Sequence, residues 1–156
     1  MCIRDRSFVI GQSYGGGIIF YIDGTGQHGL ISAATDQSAG AGWGCEGTPI
    51  AGTSTAIGTG QANTTAIVNG CALGGIAARI CDNLILNGYN DWFLPSKDEL
   101  NQMYIQRAII GGLIGDIYWS STQYNDNNAW LQGFINGTQT FAGKDWTHYV
   151  RAIRAF

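Results

Sequence analysis

The stretch Tyr118–Phe156, YWSSTQYNDNNAWLQGFINGTQTFAGKDWTHYVRAIRAF, decides the fold class. It reads as strands joined by tight turns. Trp, Tyr, Phe, Thr and Gln are dense and charge is sparse, as suits a pleated, half-buried surface. Asn136-Gly137 between two strand-like runs signals a two-residue type I′ hairpin, whose central residues both need φ > 0. Tyr124 to Asn128 (YNDNN) marks a longer turn upstream. Aromatics mixed with small polar residues also make a recognition surface, joining rigid contact area to adaptable hydrogen bonding.

Helices lie upstream of this sheet-forming quarter. In DWFLPSKDEL (91–100), Trp92–Leu94 is a short buried run. Ser96 and Glu99 then form a capping box, and Asp98 adds charge suited to a helix N-terminus. The helix is predicted from Lys97 to about Ile109, burying Leu100, Met103, Tyr104 and the stem of Arg107. Asp98 and Glu99 are read as first-turn capping residues, not as an acid–base pair. A second helix is predicted over Ile76–Asn87. Ile76, Ile80 and Leu84 recur every fourth residue, Ala77 and Cys81 widen the stripe, and Gly88 stands at C′. Arg79, Asp82 and Asn83 would face out. Gln61–Asn69 reads as a shorter helix stopped by Gly70.

Nearer the start, Ile18–Asp23 and His28–Ala34 read as strands. Gly24-x-Gly26-x-x-Gly29 between them matches a dinucleotide fingerprint, but that fingerprint needs a helix to follow. Strand residues follow here, so the glycines are read as a hairpin and His28 as structural. Thr35–Gly60 reads as a long turn-rich loop, with Trp43 packing it onto the core. Helices segregated from an antiparallel sheet give an α+β domain. Its final strand would return to pair with Ile18–Ile22 and bring the termini together.

The totals fit one domain with its own core: 156 residues, 45% of them hydrophobic. Charged residues are only 12%, so Asn, Gln, Ser, Thr and Gly must supply the polar surface. Net charge is −3 and the 8 Lys and Arg are scattered, which argues against a nucleic-acid footprint. Arg151 and Arg154 are read as structural ion-pair partners. No apolar run is long enough to span a bilayer, so no membrane insertion is expected. Met1–Arg6 (MCIRDR) has neither the apolar core nor the cleavage site of a signal peptide. Residues 1–13 are therefore read as a leader or truncated linker outside the core, with the natural start further upstream. The domain proper is expected over residues 14–156.

Cys2, Cys45, Cys71 and Cys81 allow several pairings, and no C-x-x-C motif is present. Cys45 and Cys71 bracket a Gly/Thr/Ala-rich excursion and each neighbours a glycine. That favours a Cys45–Cys71 disulfide and an oxidising compartment. Cys81 is expected as a buried thiol on the apolar helix face.

Four motifs in order carry a resemblance over Tyr14–Phe156: GGGIIFYIDGTGQHGL (15–30), DWFLPSKDELNQMY (91–104), YWSSTQYNDNNAW (118–130) and YVRAIRAF (149–156). The chain resembles the Lcl C-terminal domain-like family, a former domain of unknown function named after a bacterial collagen-like adhesin. The resemblance implies a C-type lectin-like fold and a place in surface or phage-tail proteins. It carries over Trp92, Leu94, Pro95, Trp119, Ser120, Ser121, Trp130, Arg151 and Arg154 as structural positions. It brings no catalytic residues. Relatives of this fold are also diversified by retroelements in their C-terminal strands and loops, a look that Tyr124–Asn128 shares. The calcium-dependent sugar-binding signatures of true C-type lectins are absent.

The resemblance implies an extracellular, adhesin-like binding module for glycans or a surface protein. The terminal strands and turns supply the candidate contacts: Tyr124, Asn125, Asp126, Asn127, Asn128, Trp130, Trp146, His148 and Tyr149. Aromatic faces cover a sugar ring or protein patch, and Asn offers both donor and acceptor. Ordinary strand alternation would bury Trp119 and Trp130, while the Tyr124–Asn128 and Lys144–His148 turns are expected to be exposed. No cofactor or metal is expected. Asp126, Asn127 and Asn128 have oxygen ligands for calcium, but an Asx turn explains them better. His148 with Asp145 and Ser120 or Ser121 has the residue types of a triad but no nucleophile-elbow motif, so an enzyme is not expected. The alternatives are a structural or homotrimeric cap on a fibre and a variable display protein diversified by a retroelement.

Overall fold

The computed structural model describes residues 7–156. The leader reading of Met1–Arg6, with Cys2 in it, lies outside the described residues. The fold is α+β, with nine strands in two sheets and four helices among the described residues.

The smaller sheet holds β1 (Ser13–Tyr14), β2 (Gly17–Ile22), β3 (Gly29–Ser32) and β9 (Ile153–Ala155), in the order β1-β2-β3-β9. β2 and β3 form the expected hairpin, closed by Asp23 N–H donating to the His28 carbonyl at 2.8 Å, and no helix follows the glycines. The last strand pairs with β3, not with Ile18–Ile22. Phe8 packs its ring on Phe156 with centroids 4.9 Å apart, which brings the two ends of the described chain together. Phe8 and Ile10 precede the expected boundary at Tyr14, yet both pack on the core.

The larger sheet holds β4 (Ser38–Gly42), β5 (Ile117–Gln123), β6 (Asn128–Gly133), β7 (Gln139–Gly143) and β8 (Thr147–Val150), in the order β4-β8-β5-β6-β7. β5 and β8 meet in parallel at Tyr118 and Tyr149; the other pairs are antiparallel. β4 lies inside the segment read as loop. Its sequence, SAGAG, has no large side chain to signal a strand, and pairing with β8 makes it one. The β6–β7 connection is not a two-residue turn. Gly133 N–H donates to the Thr138 carbonyl and Gly137 N–H to the Gly133 carbonyl. Only Gly137 of the Asn136-Gly137 pair has positive φ, at 82°. A Cβ on Gly137 would sit 2.6 Å from the Tyr104 ring, so the close approach also requires glycine.

α1 (Gly60–Gly70) agrees with the predicted first helix. α2 (Ala77–Asp82) is half the predicted length. A tight turn takes over beyond it: Leu86 and Tyr89 exchange backbone hydrogen bonds around Asn87 and Gly88, both at positive φ. Arg79 does not face out. Its guanidinium donates to the carbonyls of Val68, Cys71 and Leu73 and so caps the end of α1. α3 (Lys97–Ile105) has the expected capping box, and a break at Gln106 separates it from α4 (Arg107–Ile110).

Trp43, Trp92 and Trp119 anchor the main core with Ile19, Ile31 and Ile67. Their buried indoles are satisfied: Trp43 Nε1 donates to the Ser120 carbonyl at 2.8 Å and Trp119 Nε1 to the Ala41 carbonyl at 2.7 Å. Cys45 and Cys71 form the expected disulfide, and Cys81 is a buried free thiol. Both arginines are ion-paired, Arg151 to Asp36 and Arg154 to Asp91. No helix among the described residues is long and apolar enough to cross a membrane.

Candidate ligand-binding surface

Three elements of the larger sheet gather aromatic rings at one corner. Tyr124 stands at the end of β5, where its N–H and that of Asn125 both donate to the Asn128 carbonyl and close the turn. Asn125 Oδ1 accepts from the N–H groups of Asn127 and Asn128 and from Asn128 Nδ2, so an Asx turn is present, made by Asn125 and not by Asp126. This use occupies Asn125, while the side chains of Asp126 and Asn127 remain exposed.

Trp130 on β6 pairs across to Phe141 on β7. Tyr124 stacks on Phe141 with ring centroids 3.9 Å apart and planes 5° from parallel. Trp130 stands edge-on to Tyr124, centroids 5.3 Å apart at 84°. Lys97, at the start of α3, holds its Nζ 4.6 Å over the Trp130 ring. Trp130 is thus half-buried at the surface, where strand alternation led us to expect it in the core. Tyr124 is 45% and Phe141 42% exposed, against 0% for Trp119. Sequence reasoning missed Phe141 and Lys97, because only the cross-strand register and the seat of α3 bring them to Tyr124 and Trp130.

The remaining candidates separate. Trp146 lies in the β7–β8 turn and is 62% exposed. His148 is half-buried beneath it, edge-on to Trp119 at 4.8 Å. Its Nε2 is buried without a hydrogen-bond partner, and burial lowers its pKa. Tyr149 points elsewhere: its ring packs against Tyr118 and closes over Gly115. Lys144 was expected in an exposed turn but is fully buried. Its Nζ donates to the Thr48 carbonyl and to Gln123 Oε1, both at 2.8 Å, and lies 4.8 Å over the Trp43 ring. Burial lowers the Lys144 pKa, with Asp126 acting against it.

No hydrogen bond assembles the triad residue types among the described residues. Ser120 Oγ donates to the Trp130 carbonyl at 2.7 Å, and Ser121 Oγ accepts from Asn63 at 3.2 Å. Nor does any group of three or more His, Cys, Asp or Glu among the described residues form a metal-holding cluster.

The family model described as the Lcl C-terminal domain matches residues 32–154. No curated protein matches the chain.

Proposed function

The chain belongs to the Lcl C-terminal domain family, and on that premise we propose that it is an extracellular, adhesin-like module that binds a glycan or a surface protein. The observation that carries this reading is the uncovered Tyr124–Phe141 stack with Trp130 edge-on beside it. The sheet buries Trp43 and Trp119 within the same architecture but leaves these rings in solvent. Rigid aromatic faces beside the exposed Asp126 and Asn127 suit a sugar ring or an apolar protein patch. The disulfide suits an oxidising compartment. The module works by contact alone, without a cofactor or a catalytic group.

The test is a binding screen of the purified domain against glycans and candidate surface proteins, with and without calcium. Saturable binding lost on Tyr124→Ala supports the reading; silence in every arm sinks it.

A structural cap is the second reading, favoured by apolar side chains left in solvent: Ile114 is 79%, Ile85 77% and Ile135 75% exposed. Light scattering separates the two, since a fibre cap is a trimer in solution.

A further inference from the structure

An open strand edge runs beside the aromatic surface. β7 ends the larger sheet, and its ladder to β6 is regular from Asn128–Gly143 to Gln132–Gln139. Two flanking bonds fix its parity, Gly133 N–H to the Thr138 carbonyl and Lys144 N–H to the Asn127 carbonyl. Antiparallel partners alternate between bonded and non-bonded pairs. Thr138, Thr140 and Ala142 therefore turn their backbone groups toward β6. The N–H and C=O of Gln139 and Phe141 point outward, where no strand lies among the described residues. Natural sheets blunt such edges with Lys, Pro or a bulge. The β7 sequence, QTFAG, has no Lys or Pro, and its register has no bulge.

Each face of the edge offers a contact of its own. Successive strand residues alternate between faces. Phe141, Trp130 and Tyr124 share one face. Thr140 and Leu131 share the other, where Ile117, Leu131 and Ile135 wall a cleft of about 430 Å³. At the Gly143 end, three turns bring carboxylates together. Gly47 N–H donates to the Asp126 carbonyl, and the neighbouring Asp145 carboxylate raises the Glu46 pKa. The salt bridges found among the described residues, Arg151–Asp36 and Arg154–Asp91, do not engage Glu46 or Asp145, and the buried Lys144 acts on Asp126.

We propose that β7 takes its partner as an extended peptide strand. This rests on the ligand-binding reading above and names the ligand class. The peptide main chain pairs with Gln139 and Phe141. Its apolar side chains fall alternately on the Tyr124–Phe141 rings and in the Ile117–Leu131–Ile135 cleft. A basic side chain meets Glu46 and Asp145. Main-chain pairing supplies affinity and the alternate contacts supply specificity, as in other strand-addition complexes.

The test is selection of displayed random linear peptides on the intact domain, followed by titration of synthesised winners. Enriched peptides should carry apolar residues two apart and a Lys or Arg at one end. Thr140→Lys sets an ammonium beside the edge and spares Tyr124 and Phe141. It should weaken the winners at least about tenfold, while circular dichroism and the thermal midpoint report a native fold. Should that variant not fold, Gln139→Pro deletes an outward main-chain N–H and no main-chain N–H directed at β6; it also removes the Gln139 Nε2 bonds to Gln132 and the Lys97 carbonyl, so its fold is checked in the same way. No enrichment overturns the proposal, as do winners indifferent to both variants. Self-association that Thr140→Lys abolishes, without peptide binding, also overturns it and assigns the edge to a second copy. Glycan binding lost on Tyr124→Ala but untouched by Thr140→Lys, with no peptide bound, overturns strand addition and preserves the ligand-binding reading. Failure of peptides, glycans and candidate surface proteins alike overturns both.

Discussion

Tyr124 lies flat on Phe141, ring centroids 3.9 Å apart and planes 5° from parallel, although one residue follows β5 and the other sits on the edge strand β7. Both rings keep more than two-fifths of their surface in solvent, so the stack is worth more as a contact surface than as a source of stability.

Tyr124→Ala and Phe141→Ala should each cost about 0.5–1.5 kcal/mol of stability, the range of an aromatic pair. Each should abolish most ligand binding. Trp119→Ala, at a fully buried site, should cost about 3–5 kcal/mol. Urea unfolding of the three variants checks the ranking. Equal losses would place the stack in the core rather than at a binding surface.

The Cys45–Cys71 bridge ties the loop before α1 to the end of that helix across 26 residues of sequence. Replacing both with Ser should lower stability by about 2–4 kcal/mol. Peptide mapping after alkylation should find Cys81 unlabelled until the protein unfolds, because it is buried and burial raises its thiol pKa. Rapid labelling of Cys81 in the native protein would contradict the packing.

Arg151 is buried and donates to Asp36 at 2.9 Å and to the carbonyls of Ala33 and Gly112 at 2.7 and 2.6 Å. Tyr118 donates its hydroxyl to the same Asp36 at 2.9 Å. Arg151→Met strands the carboxylate and should cost about 3–5 kcal/mol. A denaturation midpoint close to wild type would show that the network is dispensable.

His148 should make stability fall on mild acidification. Burial lowers its pKa, so the unfolded chain takes up the proton first as pH falls below 6.5. The unfolded state then binds more protons, and stability declines until the folded ring also titrates; above that window the effect vanishes. Urea midpoints from about pH 7.5 to about pH 5 should drop further for wild type than for His148→Gln. Glu99, whose pKa burial raises, works in the opposite sense but is common to both proteins and cancels in the difference. Parallel profiles would refute the assignment.

Local chemistry made much of the fold legible. The Ser96–Glu99 capping box is a three-residue signal, and the structure forms it. The glycines at 24, 26 and 29 announced a hairpin because strand residues, not a helix, follow them. Arginines in so lightly charged a chain must find acidic partners when buried, and Arg151 and Arg154 do. The helical stripe over Ile76–Leu84 was real for only part of its length, because Asn87 and Gly88 close a turn on Tyr89 that no periodicity shows.

By itself the sequence determined the class, the capped helix and the aromatic wealth of the last quarter, and it favoured the disulfide partners among several pairings. Tertiary structure decided which rings meet. A two-residue turn at Asn136-Gly137 would pair Ile135 with Thr138 and so set Trp130 opposite Gly143. The longer loop instead sets Trp130 opposite Phe141, and the Asx turn then lays Tyr124 on that ring. β4, the pairing of β9 with β3 and the burial of Lys144 were decided in the same way. Each depends on partners distant along the chain. Register and strand order are properties of the assembled sheet, where a shift of the pairing changes every cross-strand contact at once.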